Sequence, residues 1–553
     1  MHNKKYFVLS FSILAIFFVA MLFYPLGQLI LLSFTTDSGF GLENYQHIFG
    51  QRMFLQALRN SFVLSIIVGV LATVIGFIFG YALNFVALPK FYKRILTVLS
   101  SFPMFLPTIA YGFAMIYIFG RQGILTQFFG REILEVYGFQ GLLVGLLIYT
   151  VPVSFTLVNN SMKYVDTKMF TVSMLMGDNP FKSFITCLLR PLLVSLVISI
   201  IKCFFMAFTD FGLPSAIAGN YPLLPTMLFN EMLGATPDFA SGTVVSIIML
   251  LPTIATTVLM VLLNKYNVKS NSSSQTEPKS SIFTSIFYFV VTAVLLFSAL
   301  FMFVPIVLVP FVQAYPFNMT PVFHRFFDML GDTQLMRSFY NSLELSIYTA
   351  IVGTIVAFVA AYLASRSPIA KQVSGFMDFL NNVTNAIPGM VLGIAMLSVF
   401  TGTGLQNTMT LLLIANVIYF FGTPYAMAVQ ALGKLSSNFE TCGLLLGDSF
   451  MKTLFKVILP NMRHTIAEMA NYLFINSMVT ISALVFLVGI RTSTMTTRMR
   501  ELQQFNRFNE VFTLALLLFV TNLLAKLVFY LLGEAKFSLP KFSTKKQAIG
   551  ETN

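Results

Sequence analysis

Twelve stretches of this chain are long and apolar enough to cross a bilayer as helices, which takes about 17–25 residues each. They fall near 8–33, 61–87, 95–119, 139–160, 193–218 and 241–263, and again near 283–312, 342–365, 376–400, 409–430, 464–489 and 511–533. Between the two sets lies NKYNVKSNSSSQTEPKSS, a polar run without apolar periodicity that reads as a flexible tether. Only 10% of the 553 residues are charged, against about 25% in a soluble domain, so no soluble fold of this length hides so much apolar surface. The expected fold is an all-α polytopic membrane protein with twelve transmembrane helices. A first six-span unit is expected over 1–263, a linker over 264–282, a second unit over 283–536 and a tail over 537–553. The run from about Tyr6 to Phe34 is too long for the core of a signal peptide and has no small-residue cleavage site, so it reads as a retained first span.

The net charge of +13 is not a nucleic-acid signature, because the chain has no soluble basic domain to carry one. The loop lysines, among them Lys4, Lys5, Lys90, Lys93, Lys182, Lys265, Lys434 and Lys452, fall on one side of this scheme. The positive-inside bias makes that side cytoplasmic, with both termini on it. The opposite loops carry arginine without lysine: Arg52, Arg121, Arg131, Arg325, Arg337, Arg491, Arg498, Arg500 and Arg507. Cys187, Cys203 and Cys442 match no metal or redox spacing and are expected as free thiols.

The two units are copies. RNSFVLSI around Asn60 matches YNSLELSI around Asn341, and Tyr81 matches Tyr362 at the same offset of 281. LPTIAYGFAMIYIFGRQGIL matches IPGMVLGIAMLSVFTGTGLQ, placing Pro107 on Pro388, Gly112 on Gly393 and Gly123 on Gly404. The first copy then carries the extra loop LTQFFGREILEVYGFQ, and loops tolerate such insertions. Beyond it the offset is 270, with Ile148-Tyr149 on Ile418-Tyr419 and Gly177 on Gly447. An even number of spans per copy makes the repeats parallel, with a pathway expected at the axis between them.

Between the fourth and fifth spans of each copy, on the lysine side, stand FTVSMLMGDNPFKSFITCLLRPL at 170–192 and FETCGLLLGDSFMKTLFKVILPN at 439–461. In the second, Glu440 to Leu446 fits a short helix, and Gly447 fits the positive-φ turn that stops it. Asp448 or Ser449 then caps the next helix. Phe450, Leu454 and Ile458 share one apolar face, Lys452 and Lys456 form a basic stripe on another, and Pro460 ends the pattern. One such stretch would ordinarily pack on its own bundle. Two in matching places point to docking, through Met176, Gly177, Asp178 and Lys182 in one copy and Glu440, Gly447, Asp448 and Lys452 in the other.

The pattern resembles the EAA loop of bacterial ABC-importer permeases: E-A-A, three residues, a glycine, then about a dozen residues to L-P. GDSFMKTLFKVILP matches it with Gly447 and Pro460 thirteen apart, and Glu440 lies seven before the glycine. Thr441 and Cys442 replace the small pair, and the first copy has no glutamate, a spacing of fourteen, and Arg190 in place of the usual leucine. Six spans per half, the Asn-Ser pair before each second span and the loop before each fifth extend the resemblance over nearly the whole chain, to the type I binding-protein-dependent permease fold.

In that family each loop is a coupling helix that fits a cleft in one ATP-hydrolysing subunit. This chain has no G-x-x-x-x-G-K-[ST] loop to cradle phosphates. ATP and magnesium are therefore expected on two copies of a partner ATPase, with no catalytic residue and no bound cofactor on this chain. Nucleotide-driven movement is expected to reach the bundle as a rigid-body shift. The resemblance also implies an external solute-binding protein and a multi-pass location among the lipids of a bacterial plasma (inner) membrane. Fused permeases of this kind resemble the ferric-iron, thiamine and phosphonate or phosphate-ester branch, and FTDFGLP at 208–214 and MVTISALVFLVG at 478–489 look like it. Ferric iron is the first expectation, a phosphonate, phosphate ester or thiamine the second. A ferric site wants grouped Tyr, Asp, Glu or His donors. His2, His47, His324 and His464 show no grouping, so no metal site is expected here.

Pro107 and Pro388 either kink the third spans at a gate or shape their packing. Lys202, Asp210 and Glu468 fall inside predicted spans, where an ionisable residue is a functional candidate. Lys202 and Asp210 are too far apart along one helix to pair. Glu468 either meets Lys202 near the axis or is hydrated locally while Lys202 snorkels. Arg491, Arg498, Arg500 and Arg507 either dock an acidic face of the binding protein, draw an anion, or are ordinary solvated charge. The alternative function is a twelve-span secondary transporter driven by an ion gradient. It needs coupling carboxylates at mid-membrane, has only Glu468 to offer, and leaves the paired Gly-Asp bends unexplained.

Overall fold

The computed structural model describes residues 2–36, 38–166, 168–265 and 280–534; most of the linker and the whole tail at 537–553 lie outside the described residues. The described chain is helical apart from two short hairpins, Thr35–Thr36 with Gly39–Phe40 and Val312–Ala314 with Asn318–Pro321. Eight helices are long and apolar enough to cross a membrane: Lys4–Phe34, Arg52–Phe85, Phe139–Met162, Pro180–Thr209, Phe239–Asn264, Ile282–Phe311, Thr333–Ser365 and Phe508–Glu534. Three bent helix pairs raise the count to as many as 11. The run expected at 464–489 does not join them. Its helix, Arg463–Val479, has 17 residues and carries Arg463, Glu468, Asn471 and Asn476.

Proline accounts for two of the departures from the expected spans. The runs at 95–119 and 376–400 are not single helices: Lys90–Phe105 meets Thr108–Phe129 at 102°, and Ala370–Ala386 meets Gly389–Phe400 at 102°. Pro107 and Pro388 therefore do not kink a continuous helix. Each stands just before a new helix, with ψ of 147° and 140°. The proline ring disfavours helical backbone in its predecessor, and Leu106 and Ile387 are extended, at ψ 145° and 123°. The run at 409–430 also breaks, into Met409–Tyr419 and Gly422–Lys434 bent by 51°.

Three further prolines are absorbed without a break. The π turns Val19–Phe23, Ile185–Leu189 and Leu454–Ile458 each run up to a residue followed by proline: Tyr24-Pro25, Arg190-Pro191 and Leu459-Pro460. The N–H groups of Tyr24, Arg190 and Leu459 reach back to the carbonyls of Val19, Ile185 and Leu454. The wider turn moves the carbonyl that the proline ring would strike. Pro460 lies in the last turn of its helical stretch, which ends one residue later at Asn461, before the fifth helix starts at Arg463.

The first helix of each half packs on the other half. Phe7, Phe11, Phe18 and Phe23 meet Tyr362, Phe376, Phe421 and Phe379 with ring centroids 6.3, 5.8, 4.8 and 5.9 Å apart. Reciprocally, Tyr288 and Phe289 of Ile282–Phe301 meet Tyr81 and Tyr92 at 5.1 and 4.5 Å. The last helix crosses as well: Phe512 and Phe519 meet Tyr117 and Phe102 at 4.7 and 5.9 Å, and Asn522 Nδ2 donates to the Phe105 carbonyl at 2.9 Å. Within each half, small and hydroxylated residues let helices approach where lipid supplies no hydrophobic drive. Thr73 and Ser199 hydroxyls lie 3.0 Å apart, Ser199 donates to Ser154 at 2.8 Å, and Asn416 donates to Ser477 at 2.8 Å.

A Cβ at Gly76 would lie 2.8 Å from the Phe155 nitrogen and strike Ser154, whereas one at Gly375 meets nothing within 4 Å. Gly76→Val is expected to lower the thermal midpoint of the purified chain by several degrees and to reduce its yield. Gly375→Ala, inside an open helix face, should leave the midpoint unchanged or raise it, since alanine gains up to about 1 kcal/mol over glycine in a helix. Thermal unfolding in detergent checks both.

Candidate coupling segments and membrane path

The two Gly-Asp segments fold alike. Lys168–Leu175 precedes Gly177 at φ 91°, and Pro180–Phe184 follows; Asn438–Leu445 precedes Gly447 at φ 75°, and Phe450–Thr453 follows. Asp178 N and Asp448 N reach back to the carbonyls of Ser173 and Gly443 at 3.2 and 2.9 Å, closing each first helix around its left-handed glycine. The next helix is capped by Asn179 Oδ1, which accepts from Lys182 N at 2.8 Å, and by Ser449 Oγ, which accepts from Lys452 N at 3.3 Å. Asp178 and Asp448 instead pair with Lys182 and Lys452 one turn on, the first pair at 2.6 Å. The hydrogen bond from Lys182, then that from Ser173, holds the Asp178 carboxyl below its usual range. The short helices cross at small residues: Ser173 and Ser183 hydroxyls lie 2.9 Å apart, and a Cβ at Gly443 would strike Thr453. Leu175, Met176, Leu445 and Leu446 stand almost fully exposed at the two tips. Paired exposed apolar tips of this kind mark contact surfaces.

Each segment is tied to the end of its half's second helix by a different chemistry. In the second half, Arg366 NH1 lies 3.5 Å from Glu440 Oε2, with both side chains largely buried, and Arg366 also donates to the carbonyls of Leu432 and Leu435. The repeat offsets place Phe85 at the position of Arg366 and Phe170 at that of Glu440. Those rings pack at 6.1 Å. The first copy lacks both the glutamate and the arginine that would hold it. Next to each tie sits a tyrosine shared by three elements. Tyr362 meets Phe450 of its segment at 5.5 Å and Phe7 of the exchanged first helix at 6.3 Å. Tyr81 meets Phe184 at 6.1 Å and Tyr288 of the other exchanged helix at 5.1 Å.

At the opposite end, the Asn-Ser pairs hold the loops that follow the fifth helices. Asn60 donates to the Pro222 carbonyl at 3.1 Å and Ser61 accepts from Leu224 N at 2.9 Å. Asn341 donates to the carbonyls of Arg491 and Ser493 at 3.0 and 2.9 Å, and Ser342 accepts from Met495 N at 2.8 Å. Of the four arginines on this side, Arg498 pairs with Glu501 at 2.8 Å, and Arg507 pairs with Glu510 and Asp332 at 2.9 and 3.9 Å. Arg491 is exposed, and Arg500 turns inward against Phe229.

The membrane path candidates do not converge as a set. The fifth helices stop at Thr209 and Val479, short of the spans expected to 218 and 489. Asp210 closes the first of these stops: its carboxylate accepts from Thr108 Oγ1 at 2.8 Å and from Leu213 N at 3.0 Å, a capping role. Lys202 Nζ lies 5.3 Å from the Phe205 ring centroid. Glu468 is exposed, and among the described residues it makes no ion pair with Lys202. The sequence reading left Arg366 unnoticed, although the repeat offsets put it opposite Phe85. It also passed over Tyr149 and Tyr419 except as repeat markers. These equivalent residues lie within electrostatic reach of each other and of Asp210 and Tyr472, which brings both halves together at the centre. Among the described residues no group of three His, Cys, Asp or Glu is arranged to hold a metal.

Residues 353–536, which include the second Gly-Asp segment, match the family of binding-protein-dependent transport system inner membrane components. The ferric transport system permease protein FbpB of Actinobacillus pleuropneumoniae is 23% identical over 564 aligned positions, 98% of this chain and 79% of that protein. FbpB 1 of Haemophilus influenzae, provisionally named a ferric transport permease, is 23% identical over 89% of this chain and 79% of its own length. The molybdate/tungstate transport system permease protein WtpB of Pyrococcus furiosus is 29% identical over 25% of this chain and 55% of its own. The chain is a permease subunit of an ABC importer. As such it is an inner-membrane transport component and not itself an enzyme. An ion-gradient-driven transporter is set aside with that match.

Breaking a largely buried ion pair by removing one partner costs about 3–5 kcal/mol. Arg366→Ala is therefore expected to loosen the second segment and to lower transport-coupled ATP hydrolysis at least severalfold. The double variant Arg366→Phe with Glu440→Phe, which copies the Phe85–Phe170 pair, should recover most of the loss. ATPase assays of the reconstituted complex check the pair. Gly447→Val meets no neighbour within 4 Å but must hold φ near 75°, at a cost of about 1–3 kcal/mol. It should uncouple uptake while the bundle still folds.

Proposed function

We propose that this chain is the whole membrane path of a ferric-iron importer, built as twelve membrane helices in two parallel six-helix repeats spanning about residues 1–263 and 283–536. The end that carries the Gly-Asp segments faces the cytoplasm, with both termini, because the loop lysines gather there. Two copies of an ATPase, carrying ATP and magnesium, grip the segments at Met176, Gly177, Asp178 and Lys182 and at Glu440, Gly447, Asp448 and Lys452. Glu440 acts from within, by holding its segment to Arg366. An external solute-binding protein delivers cargo at the opposite end. There Arg491 offers an exposed cation, while Arg498 and Arg507 already have carboxylate partners.

The observation that carries this reading is the pair of left-handed Gly-Asp bends with exposed apolar tips, at equivalent places in the two halves. A transporter driven by ATP that has no phosphate-binding loop of its own needs such a contact to receive energy. The choice of ferric iron is supported by similarity along almost the full chain to two proteins named for ferric transport. The chain needs only a low-affinity path if the binding protein selects the cargo.

Reconstituting the chain in vesicles with its ATPase and binding protein tests the proposal. ATP-dependent uptake of ferric ion is expected, lost in Gly447→Val. Uptake of a phosphonate or thiamine without iron would keep the importer and replace the cargo. Uptake independent of ATP would defeat the reading.

A further inference from the structure

Arg500 stands apart from the other charged groups of its loop. Its guanidinium carbon lies 3.7 Å from the ring centroid of Phe229 and 5.2 Å from that of Phe211, both residues of the first half. Its Nε is buried without a hydrogen-bond partner, and no carboxylate among the described residues lies within ion-pair distance of it. Burial lowers its pKa to about 10, so the charge persists at neutral pH. It forms one wall of a cleft of about 470 Å³ whose other walls come from the first half and include Gln56, Ser215, Asn220, Thr226 and Asn230.

The equivalent place in the second half shows what is missing. There a cleft of about 230 Å³, lined by Gln334, Asn341 and Ser493, holds the guanidinium groups of Arg337 and Arg498, and the carboxylate partner of Arg498, Glu501, lies in the same wall. A buried charge is normally paired, and aromatic faces repay only part of that cost.

We propose that the cleft around Arg500 is a binding site for a small oxyanion, a carboxylate or phosphate group, held by the guanidinium and by the amides and hydroxyls of the first half. Arginine presents a planar fork of donors that matches both anions. The walls supply side-chain amides at Gln56, Asn220 and Asn230 and hydroxyls at Ser215 and Thr226. On the orientation proposed above, the cleft lies at the outer end, where cargo enters. A bound oxyanion would cancel the repulsion that Arg500 otherwise exerts on a trivalent cation. The anion site itself does not require the cargo to be iron.

The chain has no tryptophan, so Phe229→Trp places a sole indole against Arg500. The probes are inorganic phosphate and citrate, titrated into the full chain in lipid nanodiscs, with calorimetry on the chain without the tryptophan as a second readout. Saturable binding of at least one anion is expected. Arg500→Gln should weaken it about tenfold or more, as for loss of a charge-assisted hydrogen bond. Asn230→Asp, at an exposed residue of the same cleft, should weaken it too by supplying an internal carboxylate. No saturable binding of either anion, or equal affinity with and without Arg500, would overturn the proposal. So would anion binding that ignores Arg500→Gln while capture of the binding protein is lost, which would assign Arg500 to docking.

Discussion

A backbone in lipid must satisfy its own hydrogen bonds, because no water is present to do so. That constraint governs how this chain handles proline. Where the ring follows an N–H that can reach one residue further back, as at Pro25, Pro191 and Pro460, the helix widens into a π turn and continues. At Pro107 and Pro388 the helix instead stops and restarts at 102°, with the restart packed inside the protein, whereas Pro152 and Pro252 sit within helices that continue. Interruptions are thus spent at equivalent points of the two halves. The π turns Ile185–Leu189 and Leu454–Ile458 lead from the Gly-Asp segments toward the fifth helices, directly in the first half and through a turn at Met462 in the second. In the first half the segment leads into one continuous helix, Pro180–Thr209, which ends at a stop that Asp210 and Thr108 close.

The exchanged first helices make the two halves mechanically inseparable. Tyr362 touches a Gly-Asp segment and a helix from the other half at once, and Tyr81 does the same in reverse. Movement at either segment is therefore felt by both halves through rings already in contact. The two ties differ, with an Arg–Glu pair in one half and a Phe–Phe pair in the other, yet both join the same two backbone positions. The geometry of the tie is shared while its chemistry has diverged. This removes the apparent defect of a first copy without glutamate.

Much of this was legible in the residues. The offsets of 281 and 270, the Gly-Asp bends and the Asn-Ser pairs all stand at matching places in the structure, and Gly177 and Gly447 take the left-handed conformation that their context demands. The breaks were less legible, because hydropathy over a window records composition and is blind to direction. A 102° turn at Pro107 leaves the apolar content of 95–119 unchanged. Arg366 escaped because its meaning lies in a partner 74 residues on, and only both offsets read together pair it with Glu440. The helix exchange left no trace, since Phe7 and Phe18 serve equally well against either half. Lys202 and Glu468 drew attention as charges in apolar runs. One rests on a ring and the other is exposed, so composition alone overstated their connection.

The central claim is that the two Gly-Asp tips are where energy enters. Cross-linking tests it most directly. Met176→Cys and Leu446→Cys, introduced singly into a chain carrying Cys442→Ser, present a thiol at each exposed tip, with Cys187 and Cys203 buried. The account predicts that each captures one subunit of the partner ATPase, at yields that change with bound nucleotide. If neither tip is captured while the complex still hydrolyses ATP and transports, the segments are not the coupling contacts, and the account fails.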